Sequence, residues 1–481
     1  MVTRPGVSSA EPSKPTIAKS LAEKPSAVTT AGLALLIVVT PWPLGSVRPS
    51  AVWLIVLASW LLLAIRGIGL LLRPRAGIAL PADVFLAAVL LIGVLGWAIV
   101  QASPSVPEGW VHPLRAAVAG HLPGVLGTIS LDPDRTVEAT ARLSAWIVIG
   151  VLAHLAARDR DRARWLLRIF LATATAQAIV GLLREGLRID ELFGVPLGLG
   201  RASGTFVNAN HFAAYVNVAL VAATVLLLDA IRARADAPSA VVALARTVRR
   251  LFEAHAPLTA LWAILAMGSL ASGSRGGFLS LVLAVAVVAS ARLGRGKLLA
   301  VLLATLAGLG TILLLTAGVP ILERLDQLLP ASELEPGAGG RIAIFAVALV
   351  GWLERPWLGH GLGAWPALFH HLRDERFPTV VFDYVHNTWL ELLVELGAPA
   401  FVALLSALCL LTWTCLRAAR RRDDPLPAIG LGVAVLVGAH SLVDFPAQIP
   451  AVTTCLAMVL GLAVGRAAYT RFSEKNSKLK I

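Results

Sequence analysis

The feature that most constrains this chain is a succession of apolar runs, each about twenty residues long and separated by short basic or Pro/Gly-containing segments. A helix of that length spans the hydrocarbon core of a bilayer. Only helices and closed barrels can satisfy their backbone polar groups there. The runs lie near 30–48, 50–66, 81–102, 139–157, 164–184, 210–231, 257–273, 276–292, 297–318, 386–416, 427–444 and 448–466. They read as an all-α polytopic membrane protein of about twelve transmembrane helices. Composition agrees: 57% of the 481 residues are hydrophobic and 15% charged, against about 25% charged in an average soluble domain. Residues 1–29, rich in Ser, Pro and Lys, read as a disordered tail. The first apolar run ends without a small-residue cleavage site and reads as an anchor.

The formal net charge of +13 raises nucleic acid as a partner. The basic residues, however, sit in short clusters between apolar runs, which disfavours that reading and gives them a topological one. Arg66/Arg73/Arg75, Arg158/Arg160/Arg162/Arg164, Arg232/Arg234/Arg246/Arg249/Arg250, Arg292/Arg295/Lys297 and Arg417/Arg420/Arg421/Arg422 occupy alternate loops. Both tails are basic as well. With an even number of spans all these segments share one face, which the positive-inside rule makes cytoplasmic, termini included. The loops near 103–138, 185–209, 273–275, 319–385 and 445–447 then face outward. The longest, 319–385, reads as a periplasmic loop carrying short helices, one of them from Arg341 to Trp352. Cys409, Cys415 and Cys455 fall in apolar runs and suggest neither a disulfide framework nor a metal site.

Three outward segments carry polar chemistry. They are Arg201 to Tyr215, with Asn208, Asn210 and His211; the turn Ser272 to Gly277, with Arg275; and Asp383 to Gly397, with His386, Asn387, Glu391 and Glu395. An external arginine opposes the charge bias of the chain, and one embedded at the membrane is costly unless paired or facing water. Guanidinium forks match phosphate oxygens, so Arg201 and Arg275 suit a lipid pyrophosphate at headgroup level. The same side chains would also serve as headgroup anchors. His386 opens a span, where neutral imidazole can act as a general base or merely cap a helix. Glu391 and Glu395 share a helix face and would orient an arginine, line a cavity or form a structural pair. His440 and Asp444, four apart near the outer end of a span, would hold one another in place. His360, His370 and His371 lack the carboxylate spacing of a zinc site, and no phosphate-cradling Gly-Lys-Ser/Thr motif is present. Trp110, Trp352, Trp357 and Trp365 read as interfacial belt residues, with sugar stacking the alternative for those in the long loop.

At these segments the chain resembles the O-antigen ligase/O-antigen polymerase superfamily of bacterial membrane glycosyltransferases. The residues that carry the resemblance are Gly204-Thr-Phe206 with Asn208 and Asn210; Ser274-Arg-Gly276; Arg341 followed by Pro356 to Gly363; and His386-Asn387 with Gly397. Nine residues separate Asn387 from Gly397, as the family pattern requires, but its final glycine is Ala400 here. That departure leans the reading towards a polymerase or a ligase-like transferase.

The resemblance implies transfer of a glycan from an undecaprenyl-pyrophosphate carrier on the periplasmic side of the inner membrane, with no metal or other cofactor. The acceptor would be lipid A–core or a second lipid-linked glycan; a third relative of the family transfers oligosaccharide to protein. By the same resemblance His386 takes the acceptor proton, Arg201 and Arg275 hold the donor diphosphate, and Arg341 is a third contact. Asn208, Asn210, His211, Asn387, Glu391, His440 and Asp444 are candidate supporting residues. The chain would divide into a tail (1–29), N-terminal helices (30–184), a catalytic region (185–450) and a last helix with a basic tail (451–481). The alternative is a twelve-helix secondary transporter, although such proteins place ionisable residues at midplane in repeated halves. Here the polar signals gather at one face.

Overall fold

The computed structural model describes residues 17–71, 80–122, 124–232, 249, 253–293, 338–373, 377, 381–421 and 424–478. The expected span at 297–318 and the loop residues 319–337 lie outside the described residues, as does the tail before residue 17.

The described residues are mostly helical. In chain order the helices are α1 (Ile17–Val39), α2 (Pro49–Leu71), α3 (Ala82–Ala102), α4 (Pro113–Ala119), α5 (Pro133–Ala156), α6 (Arg160–Gly186) and α7 (Ala209–Arg232). There follow α8 (Ala256–Ala271), α9 (Arg275–Leu293), α10 (Ala338–Glu354), α11 (Trp365–Leu372), α12 (Thr388–Leu396), α13 (Ala398–Ala419), α14 (Leu426–His440) and α15 (Pro450–Lys478). A two-residue hairpin, Glu191–Leu192 against Val195–Pro196, lies between α6 and α7. Among the described residues, 8 helices are long and apolar enough to cross a membrane: α2, α3, α5, α6, α7, α9, α13 and α15. Shorter apolar helices cover Ser26–Val39, Ala256–Ala271 and Leu426–His440. The chain is a multi-pass membrane protein.

Burial sorts these helices into layers. In α7 and α15 the apolar window is 83% buried, whereas in α3 and α13 it is 22% buried. A helix apolar all round and buried all round is a bundle core, and one equally apolar but exposed faces lipid. Helix α15 packs on α5, α14 and α7, while α3 and α13 pair at the periphery. Small residues permit the close central approach. A Cβ at Gly465 would come within 2.7 Å of Ala157 and of the His154 carbonyl, and one at Gly432 within 2.6 Å of Val221.

The two ends of the bundle differ in chemistry. One end is tied by ion pairs: Arg466 to Asp424 at 2.9 Å, Arg292 to Asp229 at 2.5 Å, and Arg417 to Asp83. Arg158 there bonds the Tyr469 hydroxyl at 2.8 Å. The opposite end carries the loops with the polar segments. Arg292 stands at the first end and Arg341 at the second, where it bonds the Val443 carbonyl.

Three expectations change. The tail read as disordered over 1–29 is helical from Ile17, continuous with the first apolar run. The run read as one span over 386–416 is two helices, α12 and α13, broken at Gly397 (φ 75°). The break exists because the loop 355–363 crosses there backbone against backbone. A Cβ on Gly359 would lie 2.5 Å from the Gly397 nitrogen, so both positions exclude a side chain. Trp365 is no belt residue: it is fully buried and donates Nε1–H to the Phe382 carbonyl at 3.1 Å. His360, beside that crossing, is 0% exposed and pairs with His112 at 3.0 Å.

The His112–His360 pair has one consistent proton arrangement. Leu114 N–H donates to His112 Nδ1 at 3.3 Å, and His360 Nε2 can only donate to the Gly351 carbonyl at 2.8 Å. His112 Nε2–H therefore donates to His360 Nδ1, and both rings are neutral. Burial first, then neighbouring charge including Arg355, holds His112 down to about 3 and His360 to about 4. Neutral histidines with lowered pKa values stabilise the fold above the unfolded value of about 6.5 and lose that contribution as pH falls. Thermal stability of detergent-solubilised protein is expected to decline between pH 6.5 and about 4. A His360→Gln variant, whose amide cannot ionise, should show a flatter decline; an equally steep one would contradict this assignment.

Candidate active site

The site forms at the loop-bearing end, where the segment 440–449 between α14 and α15 meets the first turns of α7, α9 and α12. Helix α14 ends at His440, and Asp444 lies in the following turn, where its Oδ1 accepts from Phe445 N–H at 2.8 Å. Thr388, at the start of α12, donates its N–H to the Ser441 carbonyl at 2.9 Å and its hydroxyl to the Asp444 carbonyl at 3.3 Å. These bonds dock α12 onto the turn.

Asp444 is 2% exposed and faces two imidazoles. His386 Nδ1 and His211 Nε2 each stand 3.7 Å from the same oxygen, Oδ1. Burial alone would raise this carboxyl, but the two facing histidines and His440 hold it well below the usual carboxylate range. It is therefore ionised, and it favours the tautomer of His386 that carries its proton on Nδ1. The Nε2 lone pair is then available to a hydroxyl. The Phe445 ring packs edge-on against both imidazoles, with centroids 4.9 Å from His386 and 4.5 Å from His211, and stacks on Tyr384 at 4.1 Å.

His386 has φ 60°, in the left-handed region that L-residues seldom adopt. Such a conformation costs about 1–3 kcal/mol and persists only where neighbours impose it. Two do so. Asn387 caps α12, its side-chain oxygen accepting from Leu390 N–H at 3.1 Å. Glu391 Oε2 accepts from Val385 N–H at 2.7 Å, with Gln448 donating to its other oxygen at 2.7 Å. Asn387 and Glu391 thus act on the backbone flanking His386. Burial and the adjacent Glu395 push Glu391 well above the ordinary range, and burial raises Glu395 to about 7.

The arginines approach from neighbouring elements. Arg201 donates Nε–H to the Ser272 carbonyl at 2.8 Å and Nη2–H to Asn210 Oδ1 at 2.5 Å, so it bridges the 272–275 turn and the residue preceding His211. Arg275 opens α9 directly after that turn and is exposed. Gly276 abuts the Asp444 segment: a Cβ there would lie 2.9 Å from Val443 and 3.3 Å from His440. Arg341, in the first turns of α10, donates to the Val443 carbonyl at 3.0 Å. Asn208 accepts from Asn210 N–H at 2.7 Å and so supports the start of α7.

One expectation about partners is corrected. His440 and Asp444 do not pair as helix neighbours, because α14 ends at His440 and the turn carries Asp444 towards His211 and His386. Glu391 and Glu395 serve backbone groups of the loops: Glu395 Oε1 accepts from Trp365 N–H at 3.0 Å.

Sequence reasoning missed Arg142 on α5, which hydrogen-bonds Tyr384 and lies in the field of both glutamates. Its signal was an arginine inside the apolar run 139–157. It also passed over Arg184, which pins the 203–204 loop by donating to Ser203 Oγ at 3.0 Å and the Gly204 carbonyl at 2.7 Å.

Residues 260–405 match the O-antigen ligase family. The matched segment contains Arg275, Arg341 and His386, whereas Arg201, His211 and Asp444 lie outside it. No curated protein matches the chain.

Proposed function

We infer from the match of residues 260–405 to the O-antigen ligase family that this chain is an O-antigen ligase-like or polymerase membrane enzyme acting on lipid-linked glycans. We infer that it is an inner-membrane glycosyltransferase moving a glycan from an undecaprenyl-pyrophosphate carrier to an acceptor hydroxyl at the periplasmic face. The observation that carries this reading is the His386–Asp444 pair, set at the same end of the bundle as Arg201, Arg275 and Arg341.

In this reaction His386 Nε2 takes the proton of the acceptor hydroxyl as its oxygen attacks the anomeric carbon of the donor sugar. The bond from that carbon to the diphosphate oxygen breaks, and undecaprenyl pyrophosphate leaves with the electron pair. Asp444 stabilises the imidazolium. Arg275 and Arg201 neutralise the charge that develops on the leaving diphosphate. A diphosphate is already a good leaving group, so general-base help worth about 10²–10⁴-fold is of the right size. On this reading both termini and the ion-paired end of the bundle lie on the cytoplasmic side, which the positive-inside rule favours for its arginine clusters. The family match lends no support to the transporter reading.

Arg275→Lys is expected to lower transfer by more than tenfold, because an ammonium keeps the charge but lacks the two-pronged donor geometry. Full activity in that variant would remove Arg275 as a diphosphate clamp. Deleting the gene and profiling cellular glycans tests the function and separates its two forms. A single capped repeat with no long chains identifies a polymerase, and long lipid-linked polymer with bare core identifies a ligase. An unchanged profile would refute both.

A further inference from the structure

Two imidazoles address one carboxylate oxygen in this site, and the reaction above uses only one of them. His211 is 5% exposed, its Nε2 stands 3.7 Å from Asp444 Oδ1, and its ring packs against Phe445 on the same residue pair that receives His386. It also adjoins Asn210, which holds Arg201. Arg201, Asn210, His211, Asp444 and His386 therefore lie in succession across the site.

We propose that His211 is a positioning residue for the base: its Nε2–H directed at Asp444 holds the carboxylate towards His386 and sets how much of its negative charge His386 receives. The proposal rests on the assignment of His386 as base. In the resting site His386 Nδ1 and His211 Nε2 both face Oδ1 from 3.7 Å. When His386 Nε2 takes the acceptor proton, the carboxylate moderates the new positive charge while His211 keeps the oxygen from turning away. Removing the His211 donor leaves the carboxylate a stronger attractor for His386, which then protonates at higher pH and is a base over a narrower range. The other charged or titratable groups beside the 440–444 turn are His440 at the end of α14 and Arg341 from α10. Neither changes in the His211 variants.

The test compares His211→Leu, His211→Gln and His386→Ala in proteoliposomes, using an undecaprenyl-pyrophosphate-linked oligosaccharide as donor and following product across pH. His211→Gln retains an N–H donor and should keep the rate within about threefold of wild type. His211→Leu should lose on the order of tenfold or more, with the acid limb of the profile moved to higher pH by about half a unit or more. A leucine variant with the rate and acid limb of wild type overturns the proposal, as does a glutamine variant as impaired as the leucine one. Should the leucine variant fail to accumulate, the glutamine variant decides alone: a loss beyond tenfold overturns the proposal. An active His386→Ala would instead overturn the underlying assignment of the base, which keeps the two failures distinct.

Discussion

Replacing His386 with alanine brings glycan transfer to background while the chain still accumulates in the membrane. The expected loss is about 10²–10⁴-fold, the usual worth of a positioned general base. Backbone strain complicates a simple alanine test, because His386 sits at φ 60° and alanine tolerates that region poorly. Asparagine tolerates it better and offers no base in this pH range, so His386→Asn is the matched control. Both variants should be equally inactive, and His386→Asn should accumulate at the wild-type level. The measurement is the glycan profile of a deletion strain carrying each variant, normalised to protein in the membrane. Substantial chain formation by His386→Asn would remove the imidazole from the chemistry.

Asp444→Asn is the second large effect. The carboxylate accepts from Phe445 N–H at 2.8 Å and faces both imidazoles, and asparagine preserves its shape and the backbone bond. What it removes is the charge that stabilises the imidazolium and the acceptor that fixes the His386 tautomer. An amide can turn its NH₂ towards His386, which favours the ring form with its lone pair on Nδ1, the wrong nitrogen for the acceptor hydroxyl. Transfer should fall on the order of 10²-fold or more with little change in accumulation. Activity within a few-fold of wild type would show that Asp444 shapes the turn and nothing else. A double variant, Asp444→Asn with His386→Ala, should be no worse than His386→Ala alone, because the two act as one unit.

Much of the fold is legible in the residues because hydropathy alone decides it. Runs such as 81–102 and 210–231 have no soluble alternative, and they are helices here. Legibility fails where tertiary contact overrides a continuous local pattern. Residues 386–416 read as one apolar helix, and only the crossing of Gly359 over Gly397 divides them. The site was readable as to residue types but not partners. Helical spacing pairs His440 with Asp444, yet the helix stops at His440 and a turn hands the carboxylate to residues far away in sequence, His211 and His386. Arg142 escaped notice because a single arginine barely lowers the hydropathy of its run. Trp365 was misassigned because a tryptophan near a membrane surface is usually interfacial, whereas this one anchors the loop core with Phe369 and Phe382.

The proposed reaction requires the polar end of the bundle to face out of the cytoplasm. Arg275 is exposed at that end and gives the most direct handle. Arg275→Cys, in a chain whose Cys409, Cys415 and Cys455 are replaced by alanine, can be treated with a membrane-impermeant maleimide in spheroplasts and in inverted vesicles. The account predicts labelling in spheroplasts and protection in inverted vesicles. Labelling confined to the inverted vesicles would place the site on the cytoplasmic side and contradict it.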